Sequence, residues 1–172
     1  KIAMHAMSLP VGEDQRIQVL QGLNILDTQP SADFDDITTL AAHFFAAKFA
    51  LVSFVDTDRA WFKAKHGLDA CEVPRMGGFC GHAILAGGVF VMMDARKDVR
   101  FADNAFVAGP QHLRFYAGAP SIVDGAAIGT LCLLDDEHRQ LFDEGYCEQP
   151  EKFARIAASC VIKRRVTPDW PV

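Results

Sequence analysis

A chain of 172 residues, 50% hydrophobic and with 13 Phe, is long and apolar enough to bury one substantial core, which excludes a disordered or fibrous class. Its formal net charge is −5, and Lys163-Arg164-Arg165 is its one basic block, so nucleic acid is not an expected partner, because binding to phosphate backbones needs clustered Lys and Arg. No apolar run reaches the roughly 18–20 residues of a membrane-spanning helix, and KIAMHAMSLP is too short and too mixed for a signal peptide.

Along the chain, Asp14–Leu23 places Ile17, Leu20 and Leu23 at three-residue steps, which predicts a short amphipathic helix. Asp27–Ser31 stops it, and the Ser31 hydroxyl is placed to cap a second helix by accepting a first-turn N–H. There Phe34, Ile37, Ala41, Phe44 and Phe45 step by three and four, giving one apolar face. Ala50–Val55 is apolar at both parities, as in a central strand covered on each side. Asp56-Thr57-Asp58 turns the chain into Arg59–His66, which alternates. Ala60, Phe62, Ala64 and His66 share one face, and Arg59, Trp61, Lys63 and Lys65 form a wetter one.

After Gly67 the sequence is irregular through Cys71 and Pro74 into Arg75–Ile84, RMGGFCGHAI. Gly77 and Gly78 free the backbone for φ > 0 or a close approach, and a helix from about Gly78 to Ala86 ends at Gly87-Gly88. Val89–Met93 reads as a short strand broken by Asp94. In Ala95–Gln111 the charges alternate in sign around Phe101, which reads as a solvated loop. Leu113–Val123 and Ala126–Leu134 flank Asp124-Gly125, a strong hairpin signal because both turn residues must take φ > 0. Arg114, Tyr116 and Gly118 share one face of the first of these strands, with Phe115, Ala117 and Ala119 on the other. Asp135–Arg139 is an exposed turn. From Pro150 a last helix turns Phe153, Ile156, Ala157 and Cys160 inward and Lys152, Arg155 and Lys163 outward. Hairpins dominate, so the residues specify an α+β layered domain with a mostly antiparallel sheet.

The sequence has no G-x-S-x-G, P-loop, G-x-G-x-x-G or H-E-x-x-H motif. Cys80 and His82 are two residues apart, and on a helix such positions diverge by about 200°, which excludes a Cys–His dyad there. Cys80, His82 and Asp94 lack the spacing of metal ligands, and no metal is expected. Five cysteines (Cys71, Cys80, Cys132, Cys147, Cys160) without a C-x-x-C pair point to a reducing, cytoplasmic setting, with Cys132 and Cys160 packed in the core. What remains is a binding cavity. Phe79, Phe101 and Tyr116 supply walls, His82, Asp94, Arg100, Asn104 and Arg114 supply polar groups, and Cys80 is a small lining residue. The alternative is that Asp94 pairs with Arg100 or Arg114 to tie a long loop to the sheet.

From about Arg16 to Arg164 the chain resembles the GAF domains. The pieces that carry the resemblance are ILDTQPSADFDDITTLAAHFF, ALVSFVDTDRAWFKAKHGLD, GGFCGHAI, DARKDVRFADN and LRFYAGAPSIVDGAAIGTLCLLD. They are closest to N-terminal GAF modules of bacterial sensor histidine kinases and diguanylate cyclases. The resemblance implies a six-stranded, mostly antiparallel GAF/PAS-like sheet with helices on one face and a loop-built pocket on the other. It implies a domain over 13–165, with 1–12 an N-terminal extension and 166–172 a C-terminal tail. It also implies a small-molecule ligand or cofactor of unknown identity, a homodimer through the terminal helices, and an output domain in the full-length protein. The N-K-x-n-F-x-D-E motif of cyclic-nucleotide GAF domains is absent. An enzymatic branch, the free methionine-(R)-sulfoxide reductases, is also similar around Cys71 and Cys80, but the third cysteine it uses has no counterpart in Asn104–Arg114. A redox switch between Cys71 and Cys80, or a purely structural dimerisation module, stay as alternatives.

Overall fold

The computed structural model describes residues 8–142 and 144–166. In chain order the elements are α1 (Glu13–Gly22), α2 (Ala32–Phe44), β1 (Phe49–Val55), β2 (Arg59–His66), β3 (Glu72–Pro74), α3 (Phe79–Ala83), β4 (Phe90–Met92), a 3-10 turn (Ala95–Lys97), α4 (Ala105–Ala108), β5 (Phe115–Val123), β6 (Ala126–Asp135) and α5 (Glu144–Val166). The strands form one six-stranded antiparallel sheet in the order β3-β2-β1-β6-β5-β4.

Strand parity divides the core into two layers. Val52, Phe54, Ala117, Ala119, Leu131 and Leu133 face α1, α2 and α5, where they meet Leu20, Phe34, Ile37, Ala41, Ala157 and Val161. The opposite parity, including Leu51, Val55, Tyr116, Cys132 and Leu134, meets α3 and the long connections. A fully buried Phe or Leu in either layer contributes about 1.5–3 kcal/mol. The β5–β6 hairpin forms as its turn chemistry requires, with Asp124 at φ 49° and Gly125 at φ 76°.

Several expectations are corrected. β3, left irregular in the sequence, is a three-residue edge strand. Arg59 of β2 holds Glu72 at 2.6 Å, and Pro74 sits on an edge where its missing N–H removes no central ladder bond. The wetter face of β2 does not exist as expected. The β1–β2 register passes from Val52↔Ala64 to Ser53↔Phe62, so Lys63 is an extra residue in a bulge. The bulge moves Ala64 to the helix side with Trp61, and both are buried. Lys63 is buried as well, donating to Thr28 Oγ1 at 2.9 Å and to the Gln29 carbonyl.

Ser31 occupies the N-cap of α2, but its side chain makes no capping bond. Phe44 is 59% exposed, and its ring lies edge-on against Phe45 and Phe153. The last helix begins at Glu144 and runs through Pro150. A proline costs a helix one N–H bond and a steric clash, yet the 23-residue element continues through it. Ala154, Ala157, Ala158 and Val161 form its buried stripe, and Ile156 is 50% exposed. The segment read as a solvated loop buries Phe101 and Val107. Its charges pair locally, Asp94 with Arg96 and Asp98 with Arg100, each at 2.7 Å, which leaves the apolar residues to fill the core. In the turn after β6, Arg139 donates to the carbonyls of Phe45 and Ala46 and packs over the Phe115 ring.

Candidate functional site

On the face opposite the long helices lies a cavity of about 380 Å³. Its floor is the sheet itself: Phe49 and Leu51 of β1, Phe62 of β2, Tyr116 of β5 and Leu134 of β6. The glycine-rich loop and α3 form one wall, and residues around α4 form the other. Gly77 and Gly78 divide the two uses a glycine has here. Gly77 takes φ +73°, while a Cβ on Gly78 would stand 3.0 Å from the Pro74 carbonyl oxygen. The turn they make sends α3 back over the sheet and lays Phe79 between Phe101 and Tyr116, with ring centroids 4.6 and 5.1 Å away.

Across the mouth, Asn104 accepts from the Phe106 N–H at 2.8 Å and donates to the Gly77 carbonyl at 2.7 Å, so it clips the two walls together. Nδ1 of His82 lies 2.9 Å from the Gly78 carbonyl, which assigns the proton to Nδ1 and leaves Nε2 as an acceptor. Arg100 covers the rings of Phe90 and Phe101 at 5.3 and 5.2 Å. Asp103 and Gln111 add further polar groups to an otherwise apolar lining.

Beneath the floor runs a buried chain of hydroxyls and thiols. Ser53 Oγ lies 2.8 Å from Thr130 Oγ1, Thr130 Oγ1 2.8 Å from Cys132 Sγ, and Cys132 Sγ 3.2 Å from the Tyr116 hydroxyl. Cys80 Sγ closes it, 3.4 Å from Cys132 Sγ and 3.6 Å from the Tyr116 hydroxyl. The hydrogen bond with Cys132 draws the Cys80 thiol down to about 6 against the effect of burial, and Ser53, Thr130 and Tyr116 act in the same direction. Burial, reinforced by Cys80, pushes Cys132 well above the usual thiol range. Burial likewise raises Tyr116, keeping it a hydroxyl donor.

Of the residues singled out from the sequence, Phe79, Cys80, His82, Arg100, Asn104 and Tyr116 line the cavity. Three do not. Asp94 is turned into the 3-10 turn, where its carboxylate caps the Arg96 N–H and binds the Arg96 guanidinium, and the latter holds it down to about 2. Phe101 is fully buried behind Phe79. Arg114 spends its guanidinium on the carbonyls of Val107 and Leu113. Asp94 therefore pairs with neither Arg100 nor Arg114. Cys71 is exposed beside Lys65 and Asp69, and the partner of Cys80 is Cys132.

Sequence reasoning missed the sheet floor and the role of Cys132. No local signal marked it: the Asp124-Gly125 turn pairs Val123 with Ala126 and Ile122 with Ala127, and an irregularity between Ser121 and Ile122 then shifts the ladder by one residue, so that Gly118 faces Cys132, Tyr116 faces Leu134 and Cys132 shares the face of Tyr116. Among the described residues no group of three His, Cys, Asp or Glu is placed to hold a metal ion, and no helix is long and apolar enough to cross a membrane.

A protein-family model described as the GAF domain matches residues 30–161. The chain is 38% identical over 159 residues to a cyclic di-GMP phosphodiesterase of Pseudomonas aeruginosa; the match covers 92% of this chain and 27% of that protein. Among solved structures, free methionine-R-sulfoxide reductase from Neisseria meningitidis superposes with a TM-score of 0.66 at 22% identity, over 95% of this chain and 99% of that one. The GAF domain of an Acinetobacter phosphoenolpyruvate-protein phosphotransferase gives 0.64 at 14% identity, over 92% and 98%. A segment of a methyl-accepting chemotaxis protein gives 0.64 at 15%, over 91% and 100%. At these identities the structural likenesses establish the fold alone.

Proposed function

The chain belongs to the GAF domain family, and from that premise we propose that it is the sensory, small-molecule-binding module of a signal-transduction protein. The observation that carries the reading is the cavity: apolar and aromatic inside, polar at the mouth, and within the usual size of a ligand pocket, about 300–1,000 Å³. Such a lining suits a compact, largely apolar or aromatic molecule that offers a hydrogen-bond donor to His82. The proposed domain spans 13–165, since α1 already packs Leu20 into the core, and 1–12 and 166–172 flank it. The chain spans 27% of the length of its Pseudomonas relative, and by analogy an output domain or a two-component partner reads the bound state in the cytoplasm.

A ligand present at about a hundred times its Kd stabilises a domain by about 2.7 kcal/mol, roughly 5–10 °C in Tm at this size. Native mass spectrometry of the purified protein, followed by a thermal-shift screen of small aromatic and apolar compounds, is expected to find such a ligand. A screen in which no compound shifts Tm and no mass is retained would sink the reading.

The homodimer is proposed to form through the terminal helices. Ile156 and Ile162 of the terminal helix α5 are 50% and 42% exposed, and Leu40 and Phe44 of α2, which packs beside α5, are 60% and 59% exposed, more apolar surface than a solvated helix face needs. Ile156→Asp is expected to convert a dimer to a monomer in sedimentation while the circular dichroism spectrum stays that of the folded domain. A wild-type protein that sediments as a monomer at high concentration would count against the dimer.

A further inference from the structure

Cys80 and Cys132 come from distant parts of the chain, one on α3 and the other on β6, yet their sulfurs stand 3.4 Å apart. Cys132 is wholly buried in the middle of the sheet, whereas Cys80 belongs to the cavity lining. A small molecule that enters the cavity therefore reaches Cys80 first, with Cys132 directly behind it. The hydroxyls of Thr130 and Tyr116 lie 2.8 and 3.2 Å from the Cys132 sulfur, with Ser53 behind Thr130.

We propose that Cys80 and Cys132 are a peroxide-reactive thiol pair that closes reversibly to a disulfide across the cavity floor. The Cys80 thiolate attacks one oxygen of hydrogen peroxide or an organic hydroperoxide. A sulfur–oxygen bond forms, the O–O bond breaks, and hydroxide or alkoxide leaves and takes a proton to become water or alcohol. Cys132 then attacks the sulfenic sulfur. The S–S bond forms, the S–O bond breaks, and the leaving hydroxide takes the Cys132 proton to become a second water. Two thiols lose two electrons and the peroxide gains them.

Closure needs the sulfurs to approach from 3.4 Å to about 2.05 Å. The short helix α3, flanked by Gly77-Gly78 and Gly87-Gly88, is the partner that moves, because β6 is held between β1 and β5. Oxidation thus draws the wall carrying Phe79 and His82 toward the floor and reshapes the cavity. The pair differs from Cys71–Cys80, since the sulfur beside Cys80 is that of Cys132 while Cys71 lies beside Lys65 and Asp69, and it does not depend on which ligand the cavity takes.

The test is peptide mapping of the reduced full chain after brief exposure to hydrogen peroxide. The expected result is an intact mass lower by two hydrogen atoms, a cross-linked peptide joining Cys80 to Cys132, and full reversal by dithiothreitol. Cys71→Ser is expected to leave this unchanged. Cys132→Ser is expected to trap the sulfenic acid at Cys80, detectable as a dimedone adduct, and the wild-type map decides the matter even if that variant folds poorly. A map in which Cys80 and Cys132 remain thiols, or in which Cys80 is joined to another cysteine, would overturn the proposal.

Discussion

Glu13→Ala is expected to destabilise the domain by about 3 kcal/mol, because it breaks a buried ion triad at its centre. Glu13 receives two bonds from Arg16, at 2.8 and 2.9 Å, and one from Arg75 at 2.5 Å. The Arg16 and Arg75 side chains are 4% and 3% exposed. Without the carboxylate, two guanidinium charges face each other away from water. The triad also spans the fold: Arg16 donates to the Val55 carbonyl at 2.7 Å and Arg75 to the Asp56 carbonyl at 3.0 Å. It therefore fastens α1 to the end of β1 and to the residue that begins the glycine-rich loop.

The same triad sets a pH dependence. Burial pushes the Glu13 carboxyl up, but the bonds and charges of Arg16 and Arg75 outweigh it and lower the group from 4.5 to about 2. A carboxyl depressed in the folded state contributes stability above its unfolded value and loses it as pH falls through the folded one. The stability difference between wild type and Glu13→Gln in urea titrations is thus expected to be constant above pH 5 and to close between pH 4.5 and about 2. A difference that persists unchanged at pH 2 would contradict the assignment.

Gly129→Ala is expected to cost about 3 kcal/mol or more and to abolish soluble expression at elevated temperature. Gly129 lies in β6 opposite Phe54 of β1. A Cβ there would fall inside the contact radius of the Ser53 carbonyl oxygen and 2.9 Å from the Phe54 Cα. Both neighbours are backbone in the centre of the sheet, so neither can rotate away. Gly88→Ala is the control, since nothing lies within 4 Å of the position, and its effect is expected to stay within about 0.5 kcal/mol. Thermal melts that place the two variants within a few degrees of each other would refute the close-approach argument.

Much of the architecture is legible because it rests on local rules. The period of Phe34, Ile37 and Ala41 gives α2, the alternation from Arg59 to His66 gives the ends of β2, and Asp124-Gly125 gives the turn of the last hairpin, whose register an irregularity between Ser121 and Ile122 then shifts. The two glycines before Phe79 mark the turn that builds the cavity wall. Phe79, Cys80, His82, Arg100, Asn104 and Tyr116 are legible as its lining for the same reason, since aromatic and polar groups recur beside that turn. The bulge at Lys63 is another matter. Lys63 is drawn inward to Thr28 and Gln29, residues 35 and 34 positions away, and its insertion reverses the parity of everything before it in β2.

By itself, then, the sequence determined the α+β class, the hairpins, the glycine-rich turn and six residues of the cavity lining. Turn geometry and hydrophobic period act between residues a few positions apart, and such information is complete in a short window. Only the tertiary structure decided that Arg16 and Arg75 are buried on Glu13, that Asp94 serves Arg96, and that Cys80 meets Cys132. Glu13 meets Arg75 across 62 positions and Cys80 meets Cys132 across 52, and Asp94 had Arg96, Arg100 and Arg114 within reach along the chain. A charge or thiol takes the partner that packing leaves beside it once water is excluded, and no local pattern encodes that choice.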